Sequence, residues 1–178
     1  SLIQADLLKP ESLATLALQG FDQVVVAIAP KERSDEAYFN TYVQGLGNLI
    51  EALSRAKQPP ARLFFVSSTS VYHQNDHLWV NEASPTFPTS FSGKRLLEAE
   101  TLAQTSNIAS TSIRFSGIYG GTRTRLISQA LSSTTNTDSV DEPFTNRIHQ
   151  NDCVAILKHL VKKEMNGQKL YNCYLCSD

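Results

Sequence analysis

Leu63-Phe64-Phe65-Val66-Ser67-Ser68-Thr69-Ser70 decides how this chain folds. Four apolar residues, aromatic and β-branched types among them, give way at once to four hydroxyl residues. A run this short and this apolar reads as a strand covered on both faces. Upstream, Phe21-Asp22 leads into Val24-Val25-Val26-Ala27-Ile28-Ala29, which stops at Pro30 and also reads as a strand buried on both faces. Downstream, Ser112-Ile113-Arg114-Phe115 is a third strand, stopping at Ser116-Gly117. Helices fall between and beside them. Pro10 to Leu18 carries Leu13, Leu16 and Ala17 at helical spacing, and Gly20 stops it. Tyr38 to Ala56 puts Val43, Leu46, Leu49, Ile50 and Leu53 on one side and ends before Pro59-Pro60. Ser90 to Gln104 offers Leu96, Leu97, Ala99 and Ala103 for burial. Val71 to Pro88 is polar, aromatic and marked by prolines, and reads as a loop.

The C-terminal third is mixed. Thr124 to Leu131 reads as a short helix and Ser132 to Ser139 as a polar loop. Arg147-Ile148-His149 is extended, and Asn151 or Asp152 can cap a helix running to Lys163. Asn166-Gly167 turns the chain into a last strand, Lys169 to Leu175. Strands alternating with helices imply βαβ units, a parallel sheet and helices on both of its faces. The expected architecture is α/β: a Rossmann-like, doubly wound parallel sheet. In such sheets ligands bind beyond the carboxyl ends of the strands. That rule selects Ala27 to Pro30, Ser67 to Ser70 and Phe115 to Gly117.

Composition narrows the function. Sixteen Lys and Arg against seventeen Asp and Glu leave a net charge of −1, so no basic footprint for nucleic acid or an anionic membrane is present. No apolar run approaches the ~18 residues of a membrane span, and no repeat has a fixed period. Three cysteines do not make a disulfide framework and suit a reducing, cytoplasmic setting. The expected partner is a small-molecule substrate, with no nucleic acid and no membrane.

Ser68 and Lys94 form the central pair. Ser68 follows a buried strand with its hydroxyl able to donate or accept. Lys94 lies early in a helix, where a fixed cation can hold a ribose or polarise an acidic proton. Ser90 is four residues before it, on the same helical face. Spacing alone leaves open a plainer account: a hydrogen-bonded turn at Ser67 to Ser70 and a solvated lysine.

The ordered set of motifs resembles a family. Phe65-Val66-Ser67-Ser68-Thr69-Ser70-Val71-Tyr72 is similar to the strand-end motif of extended short-chain dehydrogenases/reductases, the NAD-dependent epimerase/dehydratase group. Glu82-Ala83-Ser84-Pro85 resembles their acidic-proline segment, and Ser90-Phe91-Ser92-Gly93-Lys94-Arg95-Leu96-Leu97-Glu98-Ala99-Glu100 resembles their active-site helix. Ile113-Arg114-Phe115-Ser116-Gly117-Ile118-Tyr119-Gly120 resembles the next strand and loop. Arg147-Ile148-His149-Gln150-Asn151-Asp152 and Leu170-Tyr171-Asn172 match later landmarks. Asp6-Leu7 matches the segment used near adenine. The resemblance implies NAD or NADP as cofactor. It makes Ser68 the hydroxyl on the substrate's reacting oxygen and Lys94 the holder of the nicotinamide ribose. Ile28, Ala29 and Pro30 would pass beside the cofactor, with Ser67 nearby. Phe115, Ser116 and Gly117 would close around the nicotinamide. A homodimer is compatible with such a protein.

Two departures bear on activity. The family's Tyr-x-x-x-Lys has Ser90 in the tyrosine's place. A phenol of pKa ~10 can be tuned toward neutrality, whereas an aliphatic hydroxyl is far less acidic and a poor general acid. Tyr72 and Tyr119 are the candidates to replace it, although Tyr72 also has a packing role in the motif. The family's glycine-rich phosphate turn is also missing before Asp6. Gly45 and Gly47 lie within a helix and suit close packing. The chain opens on Ser1 and reads as an incomplete Rossmann core. Residues 1–123 would be the nucleotide-binding core without its first strands. Residues 124–178 would add part of a substrate lobe and the core's last helix and strand. Weak or absent dinucleotide binding is expected of these residues alone. The expected activity is that of an NAD(P)-dependent oxidoreductase or epimerase/dehydratase acting on a sugar-like or other hydroxyl/carbonyl substrate. The alternative is a dinucleotide-binding sensor or scaffold without redox chemistry.

Other signals are weaker. Cys173-Tyr174-Leu175-Cys176 lacks a second ligand pair for zinc. His73 and His77 flank Asp76 in a loop, and no metal site is expected there. His149 reads as structural. Arg123, Arg125 and Arg147 lie on the expected substrate side and suit a phosphate or carboxylate, or solvent.

Overall fold

A computed structural model describes residues 2–74, 78–121, 128 and 145–178. In chain order the elements begin with α1 (Pro10–Gln19), β1 (Gln23–Val26) and α2 (Asp35–Tyr38). A π-helical segment (Phe39–Gly45) joins α2 to α3 (Leu46–Ser54). Then come β2 (Arg62–Ser68), a 3-10 turn (Thr69–Val71) and α4 (Phe91–Thr105). β3 (Ser110–Phe115), β4 (Gly117–Tyr119), β5 (Arg147–His149), α5 (Gln150–Met165) and β6 (Cys173–Cys176) complete the described set. The expected helix Thr124 to Leu131 and loop Ser132 to Ser139 lie outside the described residues, apart from Ser128.

β1, β2, β3 and β6 form one parallel sheet in that order. β4 and β5 form a separate parallel pair. Alternation along β2 explains the two cores. Leu63 and Phe65 point into one, with Val26, Leu46, Leu53, Leu96 and Ala99. Phe64 points into the other, with Ile113, Phe115, Ile148, Cys153 and Leu160. Helices therefore cover both faces, as the doubly wound expectation required. Arg62 Nε donates to Glu164 Oε2 at 2.8 Å and fastens the start of β2 to α5.

Several local expectations are corrected. β1 is not covered on both faces: Val25 is 42% exposed on a strand with one neighbour in the sheet, although Gln23 on the same face donates to Val161 O of α5 at 3.4 Å. The continuous helix expected over Tyr38 to Ala56 contains the π segment. Gly45 within it is a close-packing point, since a Cβ there would lie 3.0 Å from Leu7 Cβ and from Asn40 O. Gly47 is not, with nothing within 4 Å of its Cβ position. α5 is capped neither by Asn151 nor by Asp152. His149 is the cap, its Nδ1 accepting from Asn151 N at 3.3 Å. The last strand starts at Cys173 rather than Lys169. Leu170 is drawn into the second core and Tyr171 N donates to Tyr174 Oη at 3.1 Å, so the chain turns before it pairs.

Candidate functional site

Three parallel strands end side by side. Val26 pairs with Phe65, and Ser68 pairs with Phe115. Ile28, Ala29 and Pro30 leave β1 on this edge, and Tyr42 Oη donates to Ile28 O at 3.4 Å, which holds that exit against the core. Ser68 is half-buried, and its Oγ accepts from Ser70 N at 3.1 Å, starting the 3-10 turn. The turn makes room for α4. Gly93 sits directly on it: a Cβ there would overlap Ser70 O and lie 2.6 Å from Pro88 Cβ. That contact holds Gly93, the residue before Lys94, against the turn that begins at Ser68. Lys94 is exposed, and no hydrogen bond joins it to Ser68 or Tyr72 among the described residues. It lines a groove of about 730 Å³ along α4 with Val43, Phe87, Leu97, Glu98 and Leu102.

Ser90 stands just before α4. Its Oγ accepts from Gly93 N at 3.1 Å and lies 3.1 Å from Ser92 Oγ. The residue in the tyrosine's place thus caps the helix, satisfying one of its free N–H groups.

The other candidates divide by side-chain direction. Ser67, one residue before Ser68, points inward, and its Oγ donates to Glu100 Oε1 at 2.6 Å. Phe115 is buried in the second core, so only its main chain lies at the strand end. Ser116 is buried and its hydroxyl has no hydrogen-bond partner among the described residues. Gly117 opens β4, and a Cβ on it would overlap Arg147 Nη1. Asp6 and Leu7 form a separate, anchored stretch. Asp6 Oδ1 accepts from Leu8 N at 3.0 Å, and Leu7 O accepts from Asn48 Nδ2 at 2.8 Å.

Sequence reasoning missed the network behind the site. Glu100 is 1% exposed. Arg114 donates to it through Nε at 3.0 Å and Nη2 at 2.6 Å, and through Nη1 to Tyr72 Oη at 2.7 Å. Tyr72 Oη in turn donates to Asn81 O at 2.9 Å. The Arg114 guanidinium also lies 5.0 Å from the centre of the Tyr72 ring. Burial raises the Tyr72 phenol above its ordinary pKa, with Arg114 opposing. Burial disfavours the Arg114 charge, but its bonds to Glu100 outweigh that and hold it protonated. The signal was an arginine inside a fully buried strand, which requires a carboxylate nearby.

Cys173 and Cys176 lie on β6, and burial pushes both thiols up to about 11. Thiolates are the reactive form. We expect both to alkylate slowly at pH 7.5 in the folded protein, with rates rising about tenfold per pH unit up to ~pH 10. Mass spectrometry after timed iodoacetamide exposure checks this, and equal rates in folded and urea-unfolded protein would contradict it. Asp76, His77, Arg123 and Arg125 lie outside the described residues. Among the described residues no cluster of three or more His, Cys, Asp or Glu could hold a metal, and no helix is long and apolar enough to cross a membrane.

The fold has counterparts among known proteins. A candidate NAD-dependent epimerase/dehydratase from Methylobacillus flagellatus superposes with TM-score 0.80 at 37% identity, over 98% of this chain and 59% of that one. UDP-N-acetylglucosamine 4-epimerase from Bacillus cereus superposes with TM-score 0.75 at 16% identity, over 98% of this chain and 64% of its own. The Bordetella bronchiseptica enzyme WbmG, in complex with NAD, gives TM-score 0.74 at 19% identity, over 99% of this chain and 57% of its own. The chain thus spans about three fifths of the length of these proteins. No curated protein matches it. The sequence profile of one family matches residues 1–173, and the chain belongs to that family, the NAD dependent epimerases/dehydratases.

Proposed function

We propose that the protein works as an NAD(P)-dependent epimerase/dehydratase or related oxidoreductase on a sugar-like or other hydroxyl/carbonyl small molecule. The observation that carries this is the edge where β1, β2 and β3 end, with Ser68 on it and Gly93, the residue before Lys94, packed on the turn that Ser68 begins. These residues fit one end of a dinucleotide. Ser116 offers a buried hydroxyl with no partner among the described residues, and Lys94 an exposed ammonium. When bound, a nicotinamide supplies hydride acceptance and return. Lys94 would hold the ribose, and the main chain at Phe115 to Gly117 and Ile28 to Pro30 would border the nicotinamide end. Ser68 donates a hydrogen bond to the reacting oxygen. Asp6-Leu7, which match the family's adenine-side segment, would serve the adenine end.

A second reading has its own support. Ser90 caps a helix and the Tyr72 phenol is tied between Arg114 and Asn81, so neither is placed as a free proton donor. A dinucleotide-binding sensor or scaffold without redox chemistry would need none.

The test uses the complete gene product, titrated with NADH and NADPH by fluorescence. Saturable binding is expected, and its absence overturns both readings. Turnover on a panel of sugar and carbonyl substrates is expected under the first, and binding without turnover favours the second. With turnover, Ser68→Ala should lower kcat about 100-fold, the usual cost of one donor to a reacting oxygen. An undiminished rate removes Ser68 from its role.

A further inference from the structure

We propose that the Tyr38 phenol moves the proton of the reaction, from a different helix than the one on which Ser90 stands. The proposal rests on the enzymatic reading above and names the residue that gives and takes its proton. The chain has six tyrosines. Four hold their phenols in hydrogen bonds: Tyr42 on Ile28 O, Tyr72 between Arg114 and Asn81, Tyr119 on Asp178 and Tyr174 on Tyr171 N. Tyr171 is 70% exposed, and its carbonyl accepts from Thr111 Oγ1 at 3.0 Å, near the start of β3 and away from the carboxyl edge. Tyr38 is half-buried, and its phenol has no hydrogen bond among the described residues.

Two helices set Tyr38 in place. Asp35 takes Arg95 through both oxygens, from Nε at 2.7 Å and from Nη2 at 2.8 Å. One turn on from Asp35 and one turn back from Arg95, the Tyr38 and Phe91 rings meet edge to face, with 5.3 Å between centres. α2 therefore runs antiparallel to the first turn of α4, and the Tyr38 ring abuts the residue that follows Ser90. Tyr42 gives the direction of the hydroxyl. The Tyr38 and Tyr42 rings are 5.4 Å apart. Burial pushes the Tyr42 phenol up to about 12, and the nearby Tyr38 phenol adds to the shift. The Tyr42 oxygen is held on Ile28 O, where β1 leaves the sheet. Tyr38 Oη, close enough to act on it, is on that same ligand-facing side.

A cation accompanies it. The Asp35 carboxyl is held below its ordinary range, chiefly by Arg95 and in part by the Lys94 charge. Lys94 and Phe91 are three residues apart on α4 and share a face, so the Lys94 ammonium lies on the side of α4 that Tyr38 covers. When a keto group is reduced, its carbon receives a hydride with the electron pair from NADH or NADPH, the C=O π bond breaks, and the oxygen takes the proton of Tyr38 Oη. Lys94 stabilises the phenolate left behind. Oxidation of an alcohol runs the same transfers in reverse.

The test uses the complete gene product carrying [ζ-13C]tyrosine, followed by NMR during titration with NADH. The Tyr38 signal, identified by its loss in Tyr38→Phe, should shift saturably while that of Tyr171 stays. On a substrate that is turned over, Tyr38→Phe should lower kcat at least about 100-fold, the usual contribution of a positioned acid. Its NADH affinity should stay within about threefold. Its melting temperature should stay within about 2 °C, because the phenol has no hydrogen bond to lose. Tyr171→Phe should leave the rate unchanged. Adding Ser90→Tyr to Tyr38→Phe should raise the rate again at least about tenfold, which a packing role for Tyr38 does not predict. An unmoved Tyr38 signal at saturating NADH, or a loss of less than about tenfold in Tyr38→Phe, overturns the proposal and leaves the enzymatic reading standing. A rate loss with a lowered melting temperature and no rescue reassigns Tyr38 to packing and overturns it too. NADH binding without turnover on any substrate overturns it in favour of the sensor reading, and absent NADH binding overturns both readings with it.

Discussion

Gly93→Ala is expected to lower the melting temperature by roughly 6–12 °C, from overpacking that costs about 3 kcal/mol. The added methyl would meet the Ser70 carbonyl and the Pro88 ring, and a main-chain obstacle cannot swing aside as a side chain does. The N-terminal turn of α4 must then lift off the 3-10 turn. Ser90, whose Oγ accepts from Gly93 N, and Lys94, whose N–H donates to Ser90 O at 3.1 Å, move with it. A displacement near 1 Å at a reacting centre costs on the order of 100-fold, so any turnover of the protein should fall steeply as well. Gly47→Ala is the control. Gly47 lies in α3 with open space around its Cβ position, and alanine there should add about 0.4–1 kcal/mol by restricting the unfolded chain. Scanning calorimetry of both variants decides. Equal melting temperatures for Gly93→Ala and wild type would mean that α4 does not rest on the turn as described.

The strand centres were legible because burial on both faces leaves little choice of residue. Phe64 and Phe65 serve opposite cores, so both must be apolar. The chemistry-bearing edge was legible for the related reason that Ser67 and Ser68 are polar where the sheet stops. What stayed hidden depends on contacts far apart in sequence. Seven residues of π-helix, Phe39–Gly45, carry an apolar spacing too close to that of an α-helix to separate. Gly93 in Ser-Gly-Lys reads as an ordinary helix start until Ser70 is seen against it. Glu100, two residues beyond exposed Glu98, reads as one more solvated charge on α4. Val25 looked buried because its neighbours were apolar, yet coverage of that face depends on which helices the sheet receives there.

Glu100 carries the other large prediction. Its carboxylate takes Arg114 through two nitrogens and the Ser67 hydroxyl, deep in the fold. Forming such a pair is costly, since both charges leave water, but breaking it is costlier because the surviving charge stays buried. Glu100→Gln keeps the shape and an acceptor for Ser67 while stranding the Arg114 charge. We expect a loss of about 3–5 kcal/mol, or roughly 10–15 °C in melting temperature. Arg114→Met strands the carboxylate instead and frees Tyr72 Oη from its donor, with a loss of similar size. The double variant should lose clearly less than the two single losses combined, since it leaves no unpaired charge. Denaturant unfolding of the four proteins measures this coupling. Strictly additive losses would mean that the two groups are each hydrated rather than paired, and the buried network would be wrong. The network also reaches the reacting edge from behind. Ser67 precedes Ser68, and Tyr72 pins the loop at Asn81, where the chain passes on toward Pro88 and Gly93. Conservative repair therefore has a distinct signature. Arg114→Lys preserves the charge for Glu100 but cannot also reach Tyr72 with a fork, so it should recover much of the stability while leaving residues 72–74 and 78–81 less firmly held. Faster amide exchange at residues 72–74 and 78–81, with β3 still protected, is the expected result. Uniform exchange across the fold would show that Arg114 serves stability alone.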